Sequence, residues 1–301
     1  MKKRDFLTLR DLSPDEIRLV LERAMQFKSG VDANKCPLIG KSIGLLFEKA
    51  STRTRVSLEV GIYQLGAKAI YMNPREIQIG RGETIHDTAK VLSRYLAAVV
   101  IRTYSHDTLV EFASHSSIPV INGLSDLHHP CQALGDLMTI IERKGRVKGI
   151  RLAYVGDGNN VANSLIEAAA LLGINFTLAC PEGYEPSADI LKLAMSADSD
   201  ISVVREPQEA VRNADVVYTD VWVSMGQEKE ADGKKEQFKK YQLNGELISY
   251  ANKDAIVLHC LPAHRGEEIT GEVIDGPQSV VFDQAENRLH TQKALLEFLL
   301  T

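Results

Sequence analysis

Ser42-Ile43-Gly44-Leu45-Leu46-Phe47, followed by Lys49-Ala50-Ser51-Thr52-Arg53-Thr54-Arg55 and the segment running on to Leu65, is the stretch on which the fold turns. A short apolar run bounded by polar residues predicts a strand buried on both faces, and Arg55 to Leu65 predicts the helix after it. The same rhythm continues outward: Ala67 to Met72 as strand, Thr84 to Tyr95 as helix, Ala98 to Ile101 and Pro119 to Asn122 as strands, Cys131 to Ile141 as helix. Upstream, Ser13-Pro14-Asp15-Glu16 reads as a helix start, with Ser13 as N-cap, Pro14 at the first helical position and Glu16 closing a capping box. Downstream, Arg151 to Val155, Asn175 to Ala179, Ile201 to Val204, Val216 to Thr219, Ile256 to Leu258 and Val280 to Phe282 are expected as strands, with helices between most of them and a last helix over Leu289 to Leu300. This alternation predicts parallel βαβ units and an α/β class built of doubly wound sheets.

At roughly 150 residues per domain, 301 residues predict two domains, and 44% apolar with 25% charged residues is the balance of a globular chain. The switch is placed at Arg143-Lys144-Gly145-Arg146-Val147-Lys148-Gly149, giving domains 1–144 and 145–285 with a C-terminal helix, 286–301, returning to the first. A net charge of -5 with no dominant basic run argues against nucleic acid as partner. No apolar run reaches the roughly 18 residues of a membrane span, and Met1-Lys2-Lys3-Arg4-Asp5 leads into a polar segment, so no membrane partner and a cytoplasmic location are expected. Cys36, Cys131, Cys180 and Cys260 lack framework spacing, which suits free thiols in a reducing compartment. Gln227 to Lys240 is the most polar stretch and reads as a solvated helix or loop.

Ligands of open α/β sheets bind at the carboxyl ends of the strands, so the residues just after each strand carry the functional question. Ser51 to Arg55 combine hydroxyls, a guanidinium and the amides of a helix start, a set suited to a phosphate. Arg102 ends a buried run, and His128-His129-Pro130-Cys131-Gln132 opens a helix. The His and Cys spacings make no recognisable zinc set, so no metal is expected and a hydrogen-bonding histidine is the better reading. Gly156-Asp157-Gly158-Asn159-Asn160 invites a dinucleotide fold, but Val161 stands where the third glycine of that fingerprint belongs. A tight turn with Asn160 as a polar partner remains. Asp220, with Ser224-Met225-Gly226 beyond it, offers a carboxylate at a strand mouth, suited to an ammonium. His259-Cys260-Leu261-Pro262 ends another strand, and Arg288 is expected at a last strand-to-helix joint.

Taken together, Ser51-Thr52-Arg53-Thr54-Arg55, His129-Pro130-Cys131-Gln132, Asp220 with Ser224-Met225-Gly226, and His259-Cys260-Leu261-Pro262 resemble, essentially end to end, the carbamoyltransferase family and its ornithine-specific elements. The resemblance implies two doubly wound parallel-sheet domains flanking an active-site cleft, carbamoyl phosphate held by the first and L-ornithine by the second, no cofactor, and a homotrimer or multiple of trimers. By the same resemblance Ser51, Thr52, Arg53, Thr54 and Arg102 hold the phosphate, and Gln78 reaches a neighbouring subunit's site. His129, Thr54 and Arg102 polarise the carbamoyl oxygen, while Gln132 and the Cys260-Leu261 backbone grip the carbamoyl amide and Arg288 completes the pocket. Asn160 and the Met225 backbone suit the ornithine carboxylate, Asp220 and Ser224 its α-ammonium, and Cys260 favours the neutral side-chain amine. The competing readings are a carbamoyltransferase for another amine such as putrescine, a nicotinamide-dependent oxidoreductase, and a non-catalytic binding protein on the same scaffold.

Overall fold

The computed structural model describes residues 3–32, 35–73, 82–194, 200–223 and 231–301. The chain divides into two compact units, Met1–Met138 with Glu286–Thr301, and Thr139–Ala285. The first division falls inside a helix, ahead of the charged stretch where the sequence places the switch.

The first unit opens with α1 (Pro14–Lys28), whose capping box is complete: Ser13 Oγ accepts from the Glu16 amide and the Glu16 carboxylate accepts from the Ser13 amide. Arg4 donates to the same carboxylate at 2.7 Å, which with the Ser13 amide holds Glu16 at about 2. Then follow β1 (Ser42–Phe47), α2 (Arg53–Gln64), β2 (Lys68–Met72), α3 (Ile85–Tyr95), β3 (Ala98–Arg102), α4 (His106–His115), β4 (Val120–Leu124) and α5 (Pro130–Lys144). The strands form one parallel sheet in the order β2-β1-β3-β4. β1 and β3 are apolar because both their faces are covered, whereas the edge strand β2 stays partly exposed and mixes in Lys68.

The second unit continues through β5 (Arg151–Val155), α6 (Asn160–Leu172), β6 (Asn175–Ala179), α7 (Ala188–Ala194), β7 (Ile201–Val204), α8 (Pro207–Val211), β8 (Val216–Thr219), α9 (Ala231–Phe238), α10 (Gly245–Ile248), β9 (Ile256–His259) and α11 (Gly271–Ile274). Its parallel sheet has the order β7-β6-β5-β8-β9, so β5, β8 and β9 are neighbours and their carboxyl ends open side by side. The core on one side gathers Trp222, Phe238, Tyr241, Leu243 and Ile269 against Val155, Val217 and Val257.

One expected strand is not there. Val280 to Phe282 belongs to the start of α12 (Val281–Leu300), and the sheet is extended only by a single bridge between Val257 and Ser279. Val281, Gln284, Arg288, Thr291 and Leu295 are buried while Phe282 is exposed, which is the spacing of one helix face and not of a strand. A three-residue apolar run is too short to separate the two periods. Arg288 therefore sits within a helix rather than at a strand-to-helix joint.

Candidate active site

In the first unit three strand mouths adjoin. The register pairs Phe47 with Arg102 and Arg102 with Leu124, and the Glu48 amide donates to the Arg102 carbonyl at 2.8 Å. At the β1 mouth the helix-start expectation is refined. Thr52 occupies the cap position without making a side-chain cap bond, and Ser51 Oγ instead accepts from the Thr54 amide at 3.2 Å. Thr52 is thus exposed, and Arg53 is the first helical residue. Arg55 is committed elsewhere, donating to Glu59 at 2.8 Å and stacking 3.6 Å from the Tyr71 ring centroid.

Thr54 is buried and accepts from Arg288 Nη2 at 2.7 Å, so α12 delivers its guanidinium to the mouth of β1. Gly135 makes room for it, since a Cβ there would lie 3.0 Å from Arg288 Cγ. His129, Arg102 and Arg288 are buried, and both guanidiniums act electrostatically on the His129 ring. Burial foremost, then Arg288 and Arg102, hold the His129 ring well below the usual histidine range, so at neutral pH it is an uncharged imidazole with one N–H to donate. Gln132 is fixed by donating from Nε2 to the buried Asp136 at 2.8 Å, which leaves its buried carbonyl oxygen without a protein partner among the described residues. An orphan acceptor of this kind suits the N–H of an amide. Cys131 is structural: it donates to the Asn122 carbonyl, and burial pushes its thiol up to about 12.

The neighbouring His128 ring meets the His106 ring edge to face, with centroids 5.0 Å apart. Burial, with His106 beside it, pushes it down to about 4 from its ordinary 6.5. The unfolded chain therefore binds this proton near pH 6.5 and the folded chain only near 4, so stability present in full above 6.5 is lost as pH falls between them. The expected loss is about 1.4 kcal/mol per pH unit in that window, about 3 kcal/mol in all. Urea unfolding at pH 7, 5.5 and 4.5 checks it, and His128→Asn should flatten the slope by one proton.

In the second unit the turn after β5 carries Gly156 with φ 140° and Gly158, where a Cβ would lie 2.3 Å from Pro186 N and 2.5 Å from the Glu185 carbonyl carbon. Backbone cannot yield as a flexible side chain would, so Gly158→Ala should destabilise the protein by about 2 to 3 kcal/mol. Gly233→Ala, on a helix with nothing within 4 Å, should be neutral or slightly stabilising. Comparison of the two melting curves tests the point.

Asn159 caps α6, accepting on Oδ1 from the Val161 amide at 2.9 Å and the Ala162 amide at 3.2 Å, and its Nδ2 donates to Asp220 Oδ2 at 2.7 Å. The other Asp220 oxygen accepts from Cys260 Sγ at 2.9 Å and from the Val221 amide at 2.8 Å. Asp220 is 6% exposed, a carboxylate held by three donors at the mouth of β8. Behind Cys260, the Leu261 amide donates to His259 Nδ1 at 2.8 Å, which makes Nδ1 the acceptor and leaves Nε2 to donate to Glu268 at 3.1 Å. The fully buried Glu268–His259 pair thus braces the turn in which Leu261 takes φ 58°. Asp220, His259 and Cys260 offer ligand atoms within 4.8 Å of one another. Both imidazole nitrogens are already engaged by Leu261 and Glu268, so hydrogen bonding accounts for the cluster.

The structure brings Arg102, His129, Gln132, Thr54 and Arg288 together in one unit and Asp220 with Cys260 and Leu261 in the other. Asn160 is half-buried at the start of α6. Gln78, Ser224 and Met225 lie outside the described residues. Sequence reasoning passed over Asn159, Asp136 and Glu268. Asn159 had a usable signal, an asparagine directly before a helical run.

The aspartate/ornithine carbamoyltransferase, carbamoyl-P binding domain model matches residues 4–142, and the Asp/Orn binding domain model of the same family matches residues 148–299. The chain belongs to the aspartate/ornithine carbamoyltransferase family. Among its relatives, the ornithine carbamoyltransferase of Syntrophus aciditrophicus is 55% identical over 301 residues, covering 99% of this chain and 100% of the relative. That of Methanobrevibacter smithii is 55% identical over 290 residues, covering 95% and 96%. The solved ornithine carbamoyltransferase of Pyrococcus furiosus superposes with a TM-score of 0.95 at 50% identity, covering 99% and 97%. The anabolic ornithine carbamoyltransferase of Campylobacter jejuni does so with 0.93 at 43%, covering 98% of each. Among the described residues of this family member, no helix is long and apolar enough to cross a membrane.

Proposed function

We propose that the chain is an ornithine carbamoyltransferase, transferring the carbamoyl group of carbamoyl phosphate to the side-chain amine of L-ornithine to give L-citrulline and phosphate. The observation that carries this reading is the Asp220 carboxylate, buried at the mouth of β8 between Asn159 and Cys260, within the part of the chain matched by the Asp/Orn binding model. A buried anion there complements the α-ammonium of a cationic amino acid and repels an acidic acceptor. We assign 1–144 with 286–301 to carbamoyl phosphate and 145–285 to ornithine.

In this reading Ser51, Thr52, Arg53, Thr54, Arg102 and Arg288 bind the phosphate. Guanidiniums stay charged throughout, so phosphate arrives and departs as an anion. Neutral His129 donates to the carbamoyl oxygen with Thr54 and Arg102, while the Gln132 carbonyl accepts from the carbamoyl amide. The Leu261 carbonyl, turned by its left-handed backbone, is a further acceptor for an amide N–H. The side-chain nitrogen attacks the carbamoyl carbon, a C–N bond forms, the C–O bond to phosphorus breaks with its electron pair leaving on phosphate, and the nitrogen sheds a proton. Asn160, Ser224 and Met225 belong to the ornithine head-group set, Asp220 to its ammonium, and Gln78 to the site of a neighbouring subunit in a trimer or multiple of trimers. A cytoplasmic location and the absence of any cofactor complete the reading.

Initial rates with carbamoyl phosphate against ornithine, putrescine, lysine and aspartate test it: citrulline formation is expected to dominate, and preference for putrescine would replace ornithine with a diamine. Light scattering tests the trimer. The pH profile tests the chemistry. With a lysine-like pKa near 10.4, only roughly one ornithine in a few thousand carries a neutral side-chain amine at pH 7. At subsaturating ornithine the rate should rise roughly tenfold per unit from pH 7 toward 9. A flat profile with chemistry rate-limiting would falsify attack by a neutral amine selected from solution.

A further inference from the structure

Lys234 lies in the most polar stretch of the chain, yet its side chain is 7% exposed and its Nζ stands 2.6 Å from Oδ2 of Asp157, itself 13% exposed. The ammonium also lies 5.1 Å from the Tyr184 ring centroid and 5.6 Å from that of Phe238, and those rings meet edge to face at 4.8 Å. Removing two charges from water is costly, and such a pair often adds little stability over apolar residues of the same size. Its position supplies a different reason for it. Asp157 stands in the turn leaving β5, where the Gly158 amide donates to the Tyr184 carbonyl at 2.9 Å and the Asn159 amide donates to the Asp157 carbonyl at 2.7 Å. Asn159 in turn donates to Asp220.

We propose that Lys234 and Asp157 are a positioning pair for the acceptor half of the site: their ion pair locks the 156–160 turn, so that Asn159 holds the Asp220 carboxylate where it meets both the acceptor's ammonium and the Cys260 thiol. This rests on the reading of the second unit as the acceptor domain. Neither residue touches the acceptor; both act through Asn159. The charged and titratable groups facing Asp157 are Lys234 from α9, Asp220 after β8 and Cys180 after β6, with the Tyr184 ring beyond the ammonium. Burial first, and the Asp220 charge in addition, push the Asp157 carboxyl up from its ordinary range, while Lys234 opposes them. Without the cation, everything left around Asp157 favours its protonated form. Protonation of Asp157 then removes the negative charge that faces Asp220, so acceptor binding in such a variant is expected to vary with pH.

The test uses the whole protein with Lys234→Met, Lys234→Arg and the double variant Lys234→Met/Asp157→Asn. Each is measured for melting temperature, for inorganic phosphate binding by calorimetry, and for ornithine KM and kcat from pH 6 to 9. Ornithine turnover by the parent protein comes first; its absence would sink the underlying reading and this inference together. Given that turnover, Lys234→Met should raise ornithine KM by about tenfold or more with phosphate affinity within about threefold, because only the acceptor side loses a partnered charge. It should also add an ionisation to the ornithine kcat/KM profile that the parent lacks. Lys234→Arg should restore most of the loss, and the double variant should lack the added ionisation while keeping the weakened KM. A parent-like KM in Lys234→Met, a parallel drop at every pH, or an equal loss of phosphate affinity overturns the proposal. If Lys234→Met does not fold, the double variant decides, and a parent-like ornithine KM there overturns it.

Discussion

Asp220→Asn is expected to weaken ornithine by about a thousandfold while leaving carbamoyl phosphate affinity within about threefold, because truncating a buried, hydrogen-bonded charge costs several kcal/mol at the ligand it serves. The native carboxylate accepts from Asn159, Cys260 and the Val221 amide at 2.7 to 2.9 Å. An asparagine in the same place must turn an NH2 toward one of those donors and has no charge for an ammonium. Direct binding of each substrate separates the outcomes. Equal losses for both would mean that Asp220 holds the fold of its unit, not the acceptor, and the assignment of that unit to ornithine would fall with it.

Arg102→Lys carries the second large effect, a fall of about a thousandfold in kcat/KM for carbamoyl phosphate despite the retained charge, the scale found when one preorganised oxyanion donor is lost. Arg102 is 8% exposed at the end of β3, and a lysine there is a single point donor where a planar fork stood. Because the positive charge remains, His129 should stay neutral, so the loss belongs to donor geometry and not to a changed histidine. Steady-state kinetics with the melting curve decide the matter: near-normal turnover in a folded variant removes Arg102 from the phosphate and carbamoyl machinery.

The sheet strands were the most legible part of the chain. β1, β5, β6, β7 and β8 begin and end where the sequence places them: β1, β5 and β8 because a largely buried strand is written as an apolar run between polar breaks, β6 and the half-buried edge strand β7 because β-branched and aromatic residues fill them. Val280 to Phe282 misled for the same reason, because three apolar residues at the start of an amphipathic helix carry the same local signal. The site was legible as a set of strand ends and not as a network. That Arg288 meets Thr54, 234 residues away in sequence, follows from the return of α12 to the first unit and from no local pattern. Lys234 was invisible for a related reason, since a lysine among acids and lysines reads as solvated until the aromatic wall of Tyr184 and Phe238 is placed over it.

Among the described residues, the candidate groups of each unit gather largely at one rim of one parallel sheet, at the carboxyl ends of β1, β3 and β4 in the first, joined by Arg288 from α12, and of β5, β8 and β9 in the second. Inheritance can therefore treat the two halves as separate traits. On the proposed assignment, changes confined to the turns after β5, β8 and β9 would alter which amine is accepted while leaving Thr54, Arg102, His129 and Gln132 of the first unit in place. On that assignment a lineage that needs a new acceptor would have three turns of a single sheet to rewrite.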